Sequence, residues 1–152
     1  MAKKISTQLK SILKKNIKEY NKELASSIQG KILSNFEKEK DINGNDFAEL
    51  KARTREERLE KGYGVKPILQ RTKKLKKSIK TSAIGNSIKV SSNVSYAQEL
   101  NDGRSNMLPR PFLEIPESFK EGKKDNSKIF NKYLKKIEKE LVKAIESFGF
   151  KI

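Results

Sequence analysis

The chain has 152 residues, of which 35 are Lys or Arg and 19 are Asp or Glu, so its formal net charge is +16. Because it contains no Cys and no His, disulfides, thiol chemistry, histidine acid–base catalysis and Cys/His metal sites are excluded. An apolar fraction of 34% allows only a thin hydrophobic core, which favours burial of further apolar surface against other subunits.

The first 40 residues are predicted to form one long amphipathic helix. Between Ser6 and Lys38 the apolar residues recur at steps of three and four, which places them on one stripe of a helix. The turn-forming segment Asp41–Asn45 ends it. We expect the protein's own core to cover the stripe, with a partner helix as the alternative. The stripe consists of Leu9, Ile12, Leu13, Ile17, Tyr20, Leu24, Ile28, Ile32, Leu33 and Phe36.

A capping-box pattern predicts a short helix after this turn. Thr54–Glu57 has the Thr-x-x-Glu spacing that satisfies the first free N–H groups of a helix, and Gly62 or Gly64 is expected to end it. The charged run Arg55–Arg58 within this helix is expected to be a solvated face rather than a site.

The most one-sided charge in the sequence follows. Thr72 is predicted to cap a helix over residues 73–78, and the segment around it has six basic residues and no acidic one. This basic run either contacts DNA by neutralising phosphates or forms a solvated surface, and the sequence leaves both open. The basic run consists of Arg71, Lys73, Lys74, Lys76, Lys77 and Lys80.

A β-hairpin is the best-determined piece of the chain. Two segments of alternating apolar and polar residues flank Gly85–Asn86, which predicts a two-residue type II′ turn. The resulting register places Ala83 opposite Ile88 and Thr81 opposite Val90 on a buried face. The solvated face is predicted to carry Lys80, Ser82, Lys89 and Ser91.

The segment after the hairpin combines a turn with an extended run. Residues 94–100 suit either a strand end or one helical turn, and Asn101–Gly103 closes it. In Pro109–Pro111 the two prolines hold Arg110 in an extended conformation. Phe112–Leu113 is then expected to enter the core or a neighbouring subunit as an edge strand.

The chain ends with a second long amphipathic helix. Asp125 or Ser127 is the expected N-cap and Gly149 the expected end. Its apolar stripe consists of Ile129, Phe130, Tyr133, Leu134, Ile137, Leu141, Ile145 and Phe148.

These elements predict an α+β fold in a single domain over residues 1–152. The parts are an N-terminal helix (1–40), a central region with the hairpin (41–115) and a C-terminal helix (125–150). The two long helices are expected to pack on a small antiparallel sheet.

No grouping of side chains predicts catalysis, and no cofactor or metal is expected. The protein is therefore predicted not to be an enzyme. No apolar run approaches the roughly 20 residues that span a bilayer, and the N-terminus lacks the apolar core of a secretory signal, so we expect a protein made in the cytoplasm that does not contact membranes.

Four short motifs follow one another between Asp41 and Leu113. The residues that carry them are Phe47 and Leu50; Leu69, Thr72, Leu75, Ser78 and Ile79; Tyr96, Ala97 and Gly103; and Pro109, Arg110, Pro111, Phe112 and Leu113. In this order and spacing they resemble the phage virion morphogenesis family, which contains the tail-completion proteins of Mu-like and P2-like phages. The chain departs from the family's usual residues at Lys73 (Gly), Leu100 (often His) and Glu114 (Gly).

The resemblance implies a structural protein of a phage or prophage tail. Copies would join in a ring, with a hexamer expected, at the head-proximal end of the tail tube and enable head–tail joining. The implied partners are other copies, tail-tube and head-neck proteins, and DNA in the ring lumen. The protein would lie in the bacterial host cytoplasm during assembly and then in the virion tail.

Two alternatives to tail completion remain at this point. One is a basic nucleic-acid-binding protein that contacts DNA through the basic run between Arg71 and Lys80. The other is a different neck or minor tail component with the same fold.

Overall fold

A long N-terminal helix organises the computed structural model, which describes residues 2–104 and 106–150. The elements in chain order are α1 (Ala2–Glu37), α2 (Ala52–Glu60), α3 (Lys74–Ser78), β1 (Lys80–Ile84), β2 (Ser87–Ser91), α4 (Ala97–Asp102), a 3₁₀ turn (Glu117–Phe119) and α5 (Lys124–Ser147). The hairpin β1–β2 packs on one side of α1, and α5 packs along another. The predicted α+β class, with two long helices and an antiparallel hairpin, is confirmed.

The hairpin has the register that the sequence predicted. Ala83 pairs with Ile88 and Thr81 pairs with Val90. Their face is less covered than predicted, since Ala83 is exposed and the other three are half-buried. Gly85 has a φ of +58° whereas Asn86 has a negative φ, the combination that a type II′ turn requires.

Polar side chains attach the hairpin to α1. The Thr81 hydroxyl donates to the backbone carbonyl of Ala25 at 2.6 Å, and the Asn21 side-chain amide donates to the carbonyl of Gly85 at 3.0 Å. An isolated two-stranded hairpin is only marginally stable in water. These hydrogen bonds hold β1 and the turn against α1.

The core is built around Phe36, near the C-terminal end of α1. Its ring meets the rings of Phe47 and Phe112 edge-on, with centroids 5.6 and 5.2 Å apart. Phe112 is 2% exposed, so its predicted burial is confirmed. The segment around it is irregular, however, and the expected edge strand at Phe112–Leu113 is wrong. The side chain of Asn101 takes the place of a strand partner, because its oxygen accepts hydrogen bonds from the backbone N–H groups of Phe112 and Leu113.

Helix starts differ from the sequence expectation. Helix α2 begins at Ala52 after Lys51, not at Thr54, because the N–H of Arg55 already donates to the carbonyl of Lys51 at 3.0 Å. Helix α5 begins at Lys124, ahead of both expected caps, because the N–H of Ser127 already donates to the carbonyl of Lys123.

Helix α3 also begins later than expected. It starts at Lys74 after Lys73, whose φ is +57°, and the Thr72 hydroxyl lies 3.4 Å from the backbone nitrogen of Lys74, too far for a strong cap. Of the two alternatives for residues 94–100, the helical one is correct, since α4 runs to Asp102 and ends at Gly103.

Candidate protein-interaction site

Most motif residues are buried or half-buried. Three of them, Thr72, Tyr96 and Pro109, are exposed, and a further group is half-buried. The half-buried motif residues are Leu50, Leu69, Gly103, Pro111 and Leu113. The buried ones are Phe47, Leu75, Ser78, Ile79, Ala97, Arg110 and Phe112.

Arg110 joins two segments that are far apart in sequence. Its guanidinium donates to the backbone carbonyls of Ala48 at 2.8 Å, Glu49 at 2.9 Å and Leu108 at 3.2 Å. Burial lowers the pKa of Arg110 from its usual value, an effect that the nearby carboxylate of Glu49 opposes. With 6% of its surface exposed, Arg110 is a structural crosslink and not a surface charge.

Asn101 plays a matching part from α4. Its side-chain oxygen accepts the backbone N–H groups of Phe112 and Leu113, each at 2.8 Å. The sequence pattern predicted Asn101 only as part of a closing turn. Neither its residue type nor its position near Gly103 predicts that its side chain binds a segment eleven residues away.

A groove opens where the second and third motifs meet α2. It has a volume of about 330 Å³. We call it the motif groove. The side chains of Leu50, Leu69, Leu75 and Leu100 give it an apolar lining, and Arg71, Thr72 and Tyr96 also border it. The sequence selected five of these seven residues as motif members and a sixth, Arg71, as part of the basic run, but did not predict that they converge.

Arg58 lies in the same groove, contrary to the expected solvated face. It is 6% exposed, and its guanidinium donates to the carbonyl of Pro67 at 3.2 Å. Its Nε is buried without a hydrogen-bond partner, and it forms no ion pair with any residue that the structure describes. The neighbouring exposed charges follow the i, i+4 pattern instead, with Lys61 on Glu57 at 2.6 Å. The hydrogen bond from Lys61 lowers the pKa of Glu57.

The basic run is mostly exposed around α3. Lys76 pairs with Glu37 at 2.8 Å, and Arg71 lies over the ring of Tyr63 with its guanidinium carbon 5.2 Å from the centroid. The other five residues of the run are exposed and form no ion pair within the described ranges. They are Arg71, Lys73, Lys74, Lys77 and Lys80. The structure therefore leaves this charge free to meet an anionic partner.

An uncovered apolar strip runs along the α1 and α5 helices. Leu13 and Ile17 are 40% and 45% exposed, and Phe130 and Leu134 are 52% and 43% exposed. Tyr20 contacts Phe130 edge-on at 6.2 Å, so the exposed residues of both helices lie on the same side of the pair. We call these four side chains the apolar strip. The sequence predicted the stripes but assigned them to the core.

The opposite edge of the helical pair is polar. Lys132 pairs with Glu23 at 2.7 Å, and Lys136 pairs with Glu19. Hydrogen bonds from these lysines lower the pKa of each carboxyl. Tyr133 donates to Glu23 at 3.0 Å, and burial together with this carboxylate raises the pKa of Tyr133 to about 12.

Neither a metal site nor a membrane span is found in residues 2–104 and 106–150. No three His, Cys, Asp or Glu side chains there come together as metal ligands would. No helix in those ranges is both long enough and apolar enough to cross a bilayer.

Comparison with known proteins supports the sequence resemblance. The model of the phage virion morphogenesis family matches residues 1–107, which is more than two thirds of the chain. The matched span includes α1 to α4 and three of the four motifs, and it ends just before Pro109–Leu113. A search of curated proteins and a search of solved structures each returned no match.

Proposed function

The chain belongs to the phage virion morphogenesis family, and from this membership we propose that it is a tail-completion protein. In this role it assembles at the head-proximal end of the tail tube and enables head–tail joining. The family supports a structural part in phage morphogenesis.

The exposure of the apolar strip is the observation that supports assembly of several copies. Four large apolar side chains on one side of the α1 and α5 helices are 40–52% exposed. Contiguous exposed apolar surface marks an interaction site on a soluble protein. We propose that this strip is the contact between copies. If it meets a different patch on the neighbouring subunit, the contact repeats and closes a ring where the rotation between copies permits, and we expect a hexamer.

Charge limits how copies can be arranged. Each copy has a net charge of +16, so a contact that brought basic runs together would be repulsive. The basic run lies on α3, the loop before it and the first residue of β1, while the strip is on α1 and α5. In the proposed ring the basic run faces solvent, the lumen with its DNA or an acidic partner.

The test is the size of the particle in solution and by electron microscopy. Wild type is expected to form a discrete ring, and Phe130→Ser combined with Leu134→Ser is expected to give a folded monomer. The matched control changes Asn131 and Lys135 to Ser, two exposed positions on the same helix, and should keep the ring. Circular dichroism confirms that each variant is helical.

Two results would count against this proposal. A wild type that stays monomeric at every concentration, even with its tail tube present, removes the ring. A ring that persists in the Phe130 and Leu134 double variant removes the strip as its contact.

A nucleic-acid-binding protein is the second candidate, favoured by the exposed basic run. Five of its six side chains are exposed. Tight, salt-sensitive binding of a stable monomer to random duplex DNA would favour this candidate over the tail role. Weak DNA binding by a discrete ring would favour tail completion.

A further inference from the structure

We infer that the motif groove binds an acidic segment of a partner protein, with a carboxylate on Arg58 and an adjacent apolar side chain on the leucine floor. This assigns a ligand chemistry to a surface other than the apolar strip. The inference holds for a monomer and for a ring, and so it is tested separately from assembly.

The first argument is the unsatisfied state of Arg58. A guanidinium has five N–H donors and cannot lose its charge, so a buried one needs acceptors. Arg58 is 6% exposed, yet its single hydrogen bond goes to the carbonyl of Pro67 and its Nε has no partner. A buried charge without a counterion is costly, and a buried unsatisfied donor calls for an explanation. A carboxylate bound in the groove supplies the counterion and accepts hydrogen bonds from the guanidinium.

No carboxylate of the described chain supplies this counterion. The adjacent Glu57 also borders the groove, but its carboxylate is held by Lys61 at 2.6 Å. Arg110, the other arginine that is 6% exposed, provides a contrast. Its guanidinium is bonded to three backbone carbonyls. Arg110 therefore needs no further partner, whereas Arg58 does.

The second argument is the apolar floor. Leu75 is buried, and Leu50, Leu69 and Leu100 are half-buried along the groove. A volume of about 330 Å³ falls at the lower end of the range for ligand pockets. An anion alone does not need such a floor. A peptide with an apolar residue next to its carboxylate fills both parts of the groove.

The third argument distinguishes the sources of the anion. Arg71 borders the groove and begins the basic run, so the local potential is positive. A second copy of this chain carries +16 as well, so like charge disfavours it at this face, which already carries the basic run. Nucleic acid would be attracted, but exposed lysines satisfy phosphates without a leucine floor. The geometry thus favours an acidic segment of another protein.

The test follows the Nε–H signal of Arg58 by NMR in the full-length protein labelled with ¹⁵N-arginine. The signal is assigned by its loss in Arg58→Lys. The probe is the capped peptide Ser-Leu-Glu-Leu-Ser at up to millimolar concentration, and the matched peptide has Gln in place of Glu. Arg53 and Arg55, which are exposed on the same helix, serve as internal controls.

The Glu peptide is expected to shift the Arg58 signal saturably, while Arg53 and Arg55 stay unchanged. The Gln peptide should bind at least about tenfold more weakly, because a charge-assisted hydrogen bond is lost. The comparison of the two peptides uses the wild-type protein alone. Through-bond correlation of the Nε–H group to the Arg58 backbone assigns the signal if Arg58→Lys does not fold. The Phe130 and Leu134 double variant should bind the Glu peptide as well as wild type does.

Three results would overturn the inference. One is the absence of a saturable shift at Arg58, and another is equal binding of the two peptides. The third is a saturable Arg58 shift with a short DNA duplex and none with the peptide, which would assign the groove to nucleic acid.

Discussion

Gly103 and Pro109 are packed so closely that a Cβ atom on Gly103 would lie 2.5 Å from the backbone nitrogen of Pro109. Gly103 also has a φ of +74°, the left-handed conformation that ends α4. Backbone conformation and close approach thus both require glycine at this motif position. The contact brings the end of α4 onto the segment that carries Arg110 and Phe112.

Gly103→Ala is therefore expected to destabilise the fold by more than the 1–2 kcal/mol or so that a left-handed conformation costs an L-residue. The clash with Pro109 adds to that cost, since backbone atoms cannot move aside as a flexible side chain can. Gly30→Ala is the matched control. Gly30 lies inside α1 with nothing within 4 Å of a new Cβ, and alanine there should stabilise by about 0.5–1 kcal/mol. Urea unfolding of both variants measures the free energy of unfolding, which should fall for Gly103→Ala and rise for Gly30→Ala. An unchanged free energy of unfolding for Gly103→Ala would contradict the packing described.

The Asn101 amide is expected to contribute strongly to stability. Asn101→Ala leaves the backbone N–H groups of Phe112 and Leu113 without their acceptor, and each buried unsatisfied donor costs about 1–3 kcal/mol. Gln98→Ala on the exposed side of the same helix should change the free energy of unfolding by less than about 0.5 kcal/mol. Denaturant unfolding measures both, and equal effects of the two substitutions would show that Asn101 has no special role.

Phe112 is expected to be the most costly side chain to truncate in its segment. It is 2% exposed and packs on Phe36, so Phe112→Ala should cost about 3–5 kcal/mol or prevent folding. Leu108→Ala, at a position 51% exposed in the same segment, should be nearly neutral. Thermal unfolding by circular dichroism compares the two. An unchanged melting temperature for Phe112→Ala would place Phe112 outside the core.

Salt is expected to act oppositely on assembly and on DNA binding. Screening over a Debye length of about 8 Å at physiological ionic strength reduces repulsion between basic runs, so the ring should hold or strengthen as salt rises. DNA binding should weaken, with a slope of about 0.9 per phosphate contact in log–log coordinates. Changing Lys73, Lys74, Lys76 and Lys77 together to Gln should flatten that slope and keep the ring. Light scattering and DNA-binding titrations across a salt series measure both, and loss of the ring in this variant would place the basic run at the subunit contact.

High pH is expected to destabilise the contact between α1 and α5 through Tyr133. Its pKa in the folded protein, about 12, lies above its ordinary value of 10.0, so the fold favours the neutral phenol. The resulting stability is fully present below about pH 10 and is lost as pH rises toward 12. Glu23→Gln removes the carboxylate, which should lower the Tyr133 pKa, although burial keeps it above the ordinary value. Tyrosine ¹³C NMR titration measures the pKa, and an unchanged value in Glu23→Gln would rule out the carboxylate as a cause.

Local patterns determined the regular elements. The period of two on either side of Gly85–Asn86 was sufficient for the register of the hairpin, because a one-residue slip would turn Thr81 and Val90 toward solvent. The steps of three and four likewise predicted both long helices. These features follow from neighbours in sequence.

The tertiary structure alone decided where the surfaces lie. A helical period shows which residues share a stripe, but it does not show that the neighbouring elements stop short of Leu13, Ile17, Phe130 and Leu134. Arg110 binds carbonyls about sixty positions away, and a carbonyl has no sequence signature because every residue has one. For the same reason the sequence does not distinguish the buried Arg58 from its exposed charged neighbours. Only the packing of α2 against the loop at Pro67 removed Arg58 from water and left its charge without a partner.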